Sequence, residues 1–267
     1  MNLDYFLQLF VQGIIIGCVY ATAALGFVLI YKSSRVINLA HGYLIAIGGC
    51  LTYVFYGMFR GLFGPDSASM LSFIPAAICG LIVSFMLGLL IERTFLRPMV
   101  GQPIISVIMV TIGLGSLLDG ILHLTPFGSS NFSFEPPLFA TTSINIGSIS
   151  ISPNQLMGAG IAMRAVADDQ LASQSVGVSV EKVFAIAWAA AAMTTAAAGF
   201  TVGAISGLNV TALDAIGIKV LPAVILGGLD SIEGAIVGGI IVGLLEQLSS
   251  GLLDQYVPGG GTSEIAP

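Results

Sequence analysis

Charge is what this sequence has least of: Asp, Glu, Lys and Arg together make up 8% of 267 residues, against roughly 25% in soluble domains. With 56% of the chain hydrophobic, a soluble core cannot hide so much apolar surface. The eight Lys and Arg are scattered and outnumbered by fourteen Asp and Glu, for a net charge of -6. No basic patch exists that could neutralise phosphates, which excludes nucleic-acid binding. The chain also lacks a GxxxxGK(S/T) loop, so it has no nucleotide-binding cradle of its own. HExxH, CxxC, GxSxG and GxGxxG are all missing, and the two histidines, His41 and His123, are far apart. Neither a metal site nor a catalytic triad is expected, and the reading is not an enzyme. Cys18, Cys50 and Cys79 lie in apolar runs without ligand spacing and read as small buried hydrophobes, leaving the redox compartment unread.

Long uncharged runs are what the sequence has instead. A bilayer core of roughly 30 Å needs about 20 helical residues. Phe6–Tyr31, Val36–Phe59, Ser67–Ile91, Pro98–Leu118 and Val183–Leu213 all qualify. Val220–Leu229, ending in Gly227–Gly228, is too short and reads as a half-span or tilted segment; Ile232–Ser250 is a further span interrupted by Glu233 and Glu246. The first run follows Asp4 without a basic leader and is expected to be a mature span rather than a signal peptide. The fold class is therefore all-α: a single polytopic transmembrane bundle over 1–267, with about eight spans including short or broken helices.

Placing the loops at Lys32–Arg35, Glu92–Arg97 and Arg164–Lys182 inside makes six of eight basic residues cytoplasmic and puts the N-terminus outside. The segment 123–152 has no Lys or Arg, carries Pro136–Pro137, and reads as an external loop. Topology demands a crossing at Ile151–Met163, yet only thirteen residues precede Arg164. Residues are therefore expected to be missing between 163 and 164. The tail from Gly251 likewise stops where another apolar run would begin.

Glycine is abundant, at 34 residues, with four-residue spacing at Gly13/Gly17, Gly199/Gly203, Gly234/Gly238 and Gly239/Gly243. Such faces let helices approach closely, either as a sliding bundle or as ordinary helix contact. Asn38, His41 and Gly42 sit near the end of a span, where costly polar groups face either a translocation path or an interhelical hydrogen bond. Thr111, Gly113, Gly115 and Asp119 raise the same alternatives, Asp119 lying near the outer interface. Glu246, deep in a span, needs a partner, and Lys219 is the candidate. Arg164–Ser175 favours a short helix closed by Gly177; Ala165, Ala167 and Ala172 offer a small-residue surface, with Asp168 and Asp169 exposed. It suits either a docking element or a solvated loop helix.

Four segments taken together resemble the permease family of branched-chain amino acid ABC importers, which also includes urea and short-chain amide permeases. They are GCVYATAALGFVLIYKSSRVINLAHGYL, ERTFLRPMVGQPIISVIMVTIGLGSLL, MRAVADDQLASQSVGVSV and GIKVLPAVILGGLDSIEGAIVGGIIVGLLEQL. The resemblance implies an inner-membrane subunit beside a second permease, two ATP-binding subunits carrying ATP and Mg, and an external solute-binding protein. It implies alternating access, with Arg164–Gly177 as the coupling element and Asn38–Gly42 beside the pathway; Lys219 and Glu246 occupy positions similar to ones usual in the family. The chain departs from the family at Tyr43, where members often carry an acidic residue, and in lacking a full span and basic stretch before Arg164 and a final span. Urea or short-chain amide transport is the alternative within the family. An ion-coupled secondary transporter or channel is the more distant one, with Asp119 and Glu246 as its buried acids.

Overall fold

The computed structural model describes residues 3–64, 69–128, 130–134, 144–146, 149–151 and 180–253. Among them, seven helices are long and apolar enough to cross a membrane. They are α1 (Leu3–Ser34), α2 (His41–Phe63), α3 (Ser69–Ile91), α4 (Ile104–His123), α5 (Val180–Ser206), α6 (Val210–Gly227) and α7 (Ile232–Leu253). A π turn (Glu92–Leu96) and a 3-10 turn (Arg97–Met99) join α3 to α4. After α4 come a 3-10 turn (Pro126–Gly128) and an antiparallel hairpin, β1 (Ile144–Ile146) with β2 (Ile149–Ile151), in which Ile144 pairs with Ile151. The segment 123–152 thus starts on the last helical residue of α4 and contains two short strands. The crossing expected over Ile151–Met163 begins on the last residue of β2; the rest of it, and the Met163–Arg164 junction, lie outside the described residues.

Helix α1 is the axis of the bundle. Between lipid tails there is no water to squeeze out, so helices associate through close van der Waals packing, and small residues are what permit it. A Cβ on Gly13 would stand 2.9 Å from the Leu244 Cα, and one on Gly17 would stand 2.7 Å from the Ile240 Cα. As α1 advances from Gly13 to Ala21 its partners retreat from Leu244 to Gly239, so α1 and α7 run antiparallel with the two glycine pairs crossing. On its other sides α1 packs Ala23, Ala24, Phe27 and Val28 into a core shared with Ile45, Phe73, Phe200 and Leu213. Ser33 and Ser34 close α1 by bonding back to the Ile30 carbonyl, at 2.9 and 2.7 Å. Arg35 then turns the chain at φ 56, a left-handed value that a non-glycine residue adopts at some cost. Its guanidinium meets Asp230 at 2.6 Å, tying the end of α1 to the α6–α7 turn. Asp230 raises the Arg35 pKa by hydrogen bonding and attraction, although at 65% and 54% exposure the pair adds little stability.

Two expected boundaries are corrected. The run Val183–Leu213 is not one span: Gly207, at φ +86, ends α5, and Leu208 pairs its backbone with Phe132, at 3.0 and 2.6 Å. Asn209 then caps a new helix, its Oδ1 accepting from the Ala212 N–H at 3.0 Å. The segment Val220–Leu229 is accordingly no half-span, because its residues through Gly227 form the second half of the 18-residue α6, which continues through Pro222. Hydropathy counting missed both boundaries because a glycine turn and an Asn cap change direction without adding charge.

The helix α3 shows lipid-facing patterning most plainly. Leu71, Ile74, Ile78, Ile82, Met86 and Leu90 recur at three- and four-residue spacing, all exposed, and form one apolar stripe. Its opposite side meets α5, where a Cβ on Gly88 would come within 2.9 Å of the Ala189 Cα.

Candidate functional site

The second expected span, Val36–Phe59, is not helical from its start. His41 begins α2, yet its Nε2 lies 2.8 Å from the carbonyl of Ala23, eleven residues before the end of α1. At 1.5 Å per residue, about 16 Å of α1 lies beyond that point. The non-helical stretch from Arg35 to Ala40 therefore folds back alongside α1 and carries open backbone into the bundle. Such backbone is tolerated at membrane depth only where protein satisfies it. Asn38 Oδ1 accepts from the Ala40 N–H at 3.1 Å, while Thr111 Oγ1 lies 3.4 Å from both the Leu39 N–H and the Ile37 carbonyl. Thr111 itself, fully buried on α4, donates to Ile108 at 2.8 Å.

A carbonyl can only accept, so His41 Nε2 carries the proton and Nδ1 is bare. Both His41 Nδ1 and Asn38 Nδ2 are buried without a hydrogen-bond partner among the described residues. The imidazole is further fixed edge-on against Phe27, with ring centroids 5.4 Å apart. Gly42 follows because nothing larger fits: a Cβ there would stand 2.5 Å from both the backbone oxygen and Oδ1 of Asp214, with Gly217 of α6 opposite. The Asp214 carboxylate faces the Tyr43 hydroxyl, and the charge of Asp119 acts on both. Asp119 in turn pairs with His123, one turn on, at 3.1 Å. Where the resemblance led one to expect an acid at position 43, the fold brings one across from α6.

A second polar group lies between α1, α6 and α7. Lys219 Nζ pairs with Glu246 Oε1, and Tyr20 donates its hydroxyl to Glu246 Oε2 at 2.5 Å. Glu246 keeps 11% side-chain exposure and Lys219 29%, so the carboxylate is charge-paired and hydrogen-bonded where an isolated charge would be costly.

Asn38, His41, Gly42 and Thr111 thus gather around the returning segment, and Lys219 and Glu246 form a pair on the α6–α7 side. Gly113 stands apart on an exposed face of α4, where a Cβ would meet nothing within 4 Å among the described residues. Arg164, Ala165, Asp168, Asp169, Ala172 and Gly177 lie outside the described residues. Sequence reading overlooked Tyr20 and Asp214. Tyr20 is apolar enough to pass unnoticed within a span, while Asp214 falls just past the end of the run Val183–Leu213, inside what is in fact α6.

Residues 9–152 and 155–262 match the family described as branched-chain amino acid transport system, permease component. The chain is 29% identical to the high-affinity branched-chain amino acid transport system permease protein LivH of Salmonella typhimurium, over 93% of this chain and 87% of that protein. It is 28% identical to the permease protein BraD of Pseudomonas aeruginosa, over 94% of this chain and 89% of that one. A probable LivH of Methanocaldococcus jannaschii is 29% identical over 84% and 75%. The 273-residue alignment with the Salmonella protein is longer than the 93% of this chain it covers, so it includes positions without a counterpart here. No solved structure matches.

Proposed function

We propose, because the chain belongs to the permease-component family of branched-chain amino acid transport systems, that it is the membrane-spanning subunit of an ATP-driven importer of branched-chain or related hydrophobic amino acids in the inner membrane. The observation that carries this reading is the family match, which runs through both halves of the chain and takes in six of the seven long helices entirely and all but the first residues of α1. In this reading the engine is elsewhere: two cytoplasmic ATP-binding subunits hold ATP and Mg, an external solute-binding protein supplies the substrate, and a second permease, homologous or identical, completes the pathway.

The segment 164–182 rests on the ATP-binding subunits, and their closure drives the bundle between inward- and outward-open forms. The path passes the returning segment at Asn38–Gly42 and Thr111, where one buried acceptor and one buried donor have no partner among the described residues. Such groups give a passing zwitterion transient contacts rather than a tight pocket. The Lys219–Glu246–Tyr20 group lies on the other side of α6 and holds three helices in register as the path opens. The alignment positions without a counterpart support the reading that the chain is short somewhere within the matched region.

The test is reconstitution of the complete assembly in proteoliposomes with ATP inside and binding protein outside. Leucine accumulation that needs all components is the expected outcome, and Arg164→Ala or Asp168→Ala should leave ATP hydrolysis running while import falls. Uptake by this chain alone, driven by an ion gradient, would overturn the reading.

A further inference from the structure

Where α6 crosses the start of α2, the bundle holds a carboxylate that its surroundings leave unneutralised. Asp214 lies in the second turn of α6, directly across from Gly42, where a Cβ would stand 2.5 Å from its Oδ1. Gly42 follows His41, which sits about 16 Å short of the end of α1, so this carboxylate is placed at membrane depth. The Tyr43 hydroxyl faces it, a single donor against a group that can accept roughly four hydrogen bonds. Among the described residues no lysine, arginine or histidine pairs with Asp214. The charge that does act on it, Asp119, has the same sign, and Asp119 is already paired with His123 at 3.1 Å. Glu246, by contrast, has both a lysine and a tyrosine hydroxyl.

An ionised side chain at such depth is costly unless it faces protein, a counter-charge or a water-filled path. Asp214 and Tyr43 are both half-buried, so the pair is open on one side. The lipid-facing stripe of α3 is made of Leu, Ile and Met alone, and a carboxylate has no place on such a face. The open side of Asp214 is therefore wet, and through Gly42 it adjoins the returning segment that the path passes. What the place lacks is a cation. An ammonium group brings three N–H donors and a positive charge to the acceptor positions that Tyr43 leaves open. The returning segment already offers a donor for the opposite pole of a zwitterion, since the buried Asn38 amide has no partner for its Nδ2 among the described residues.

We propose that Asp214 is the specificity-determining residue of the pathway: its carboxylate receives the substrate's α-ammonium as the molecule passes the returning segment. The proposal rests on the importer reading above, and within it sets amino acids apart from urea and short-chain amides, which carry no ammonium. The contact forms without displacing an existing ion pair, and it is a passing station rather than a tight pocket.

The test uses the complete transporter. In proteoliposomes with ATP inside and saturating binding protein outside, Asp214→Asn should lower the rate of leucine import about tenfold or more. The leucine concentration at half-maximal rate, set by the binding protein, should not move. Asn keeps the shape and an acceptor for Tyr43, so a merely structural role predicts near-normal import. Adding Tyr43→Glu to Asp214→Asn returns a carboxylate from the other side of the gap and should recover at least about a third of the rate. In nanodiscs without nucleotide or binding protein, saturation-transfer NMR then compares leucine with 4-methylpentanoate, which has the chain and the carboxylate but no amine. Leucine should bind at least about fivefold more strongly to the parent, and Asp214→Asn should erase the preference. Should Asp214→Asn fail to assemble, the two probes on the parent protein decide. Wild-type import in Asp214→Asn, no recovery in the double variant, or equal binding of the two probes to the parent overturns the proposal. A parent assembly that fails to import leucine with ATP removes the importer reading instead, and an amine preference that Asp214→Asn abolishes still leaves the site.

Discussion

The most apolar 18-residue windows of α1 and α4 have nearly the same mean hydropathy, 2.3 and 2.1, yet 83% of the first window and 28% of the second is buried within the protein. The difference is one of side-chain size. From Gly13 to Ala24, α1 presents glycine and alanine at contact spacing, so α7 reaches its backbone on one side while α2 and α5 close over the rest. On α4, Ile104, Ile105, Met109, Ile112, Leu117 and Ile121 point outward, and only Val107, Thr111, Leu114, Gly115, Leu118 and Leu122 turn inward. Hydropathy brings both helices into the membrane; small residues decide which becomes the axis. The rim helix α4 nevertheless holds a vital contact, since Thr111 steadies the returning segment that α1 shelters.

The comparison can be broken most severely at the charged tether of α1. Glu246→Ala leaves Lys219 without its partner and Tyr20 without its acceptor. A loss of about 3 kcal/mol in unfolding free energy is expected in detergent titrations, the low end for a buried pair because Lys219 stays partly exposed. Replacing Lys219 and Glu246 together by methionine should recover most of it. A single variant as stable as the parent would show that the pair is not coupled to folding.

Next in size comes the glycine seam. Gly17→Leu drives a side chain into the backbone of α7 and should cost about 2 kcal/mol, visible as lower thermal stability of the purified protein. Thr111→Val, which keeps shape but removes the hydroxyl, should cost about 1 kcal/mol and speed hydrogen exchange at the Leu39 amide. Gly113→Leu, on the open face of α4, should stay within about 0.5 kcal/mol. If Gly113→Leu proved as damaging as Gly17→Leu, hydropathy and not packing would be setting the difference between the two helices.

Much of this was open to reading before any fold was known. The all-α membrane bundle and the cost of a lone Glu246 follow from composition and the thickness of a bilayer, because an uncharged run of sufficient length has few other places to go. The four glycine pairs announced close contacts without saying with what. Whether Gly17 meets Ile240, or whether Lys219 reaches Glu246 across 27 positions of chain, depends on how whole helices are laid against one another. Local pattern carries no record of that. The same holds for the break at Gly207–Asn209 and for the return of Val36–Ala40 along α1, where an apolar run continues while the backbone changes direction. Tyr20 and Asp214 drew no notice for a related reason. Each is ordinary in its own helix and acquires a role only from groups that other helices bring to it, and that meeting belongs to the tertiary structure alone.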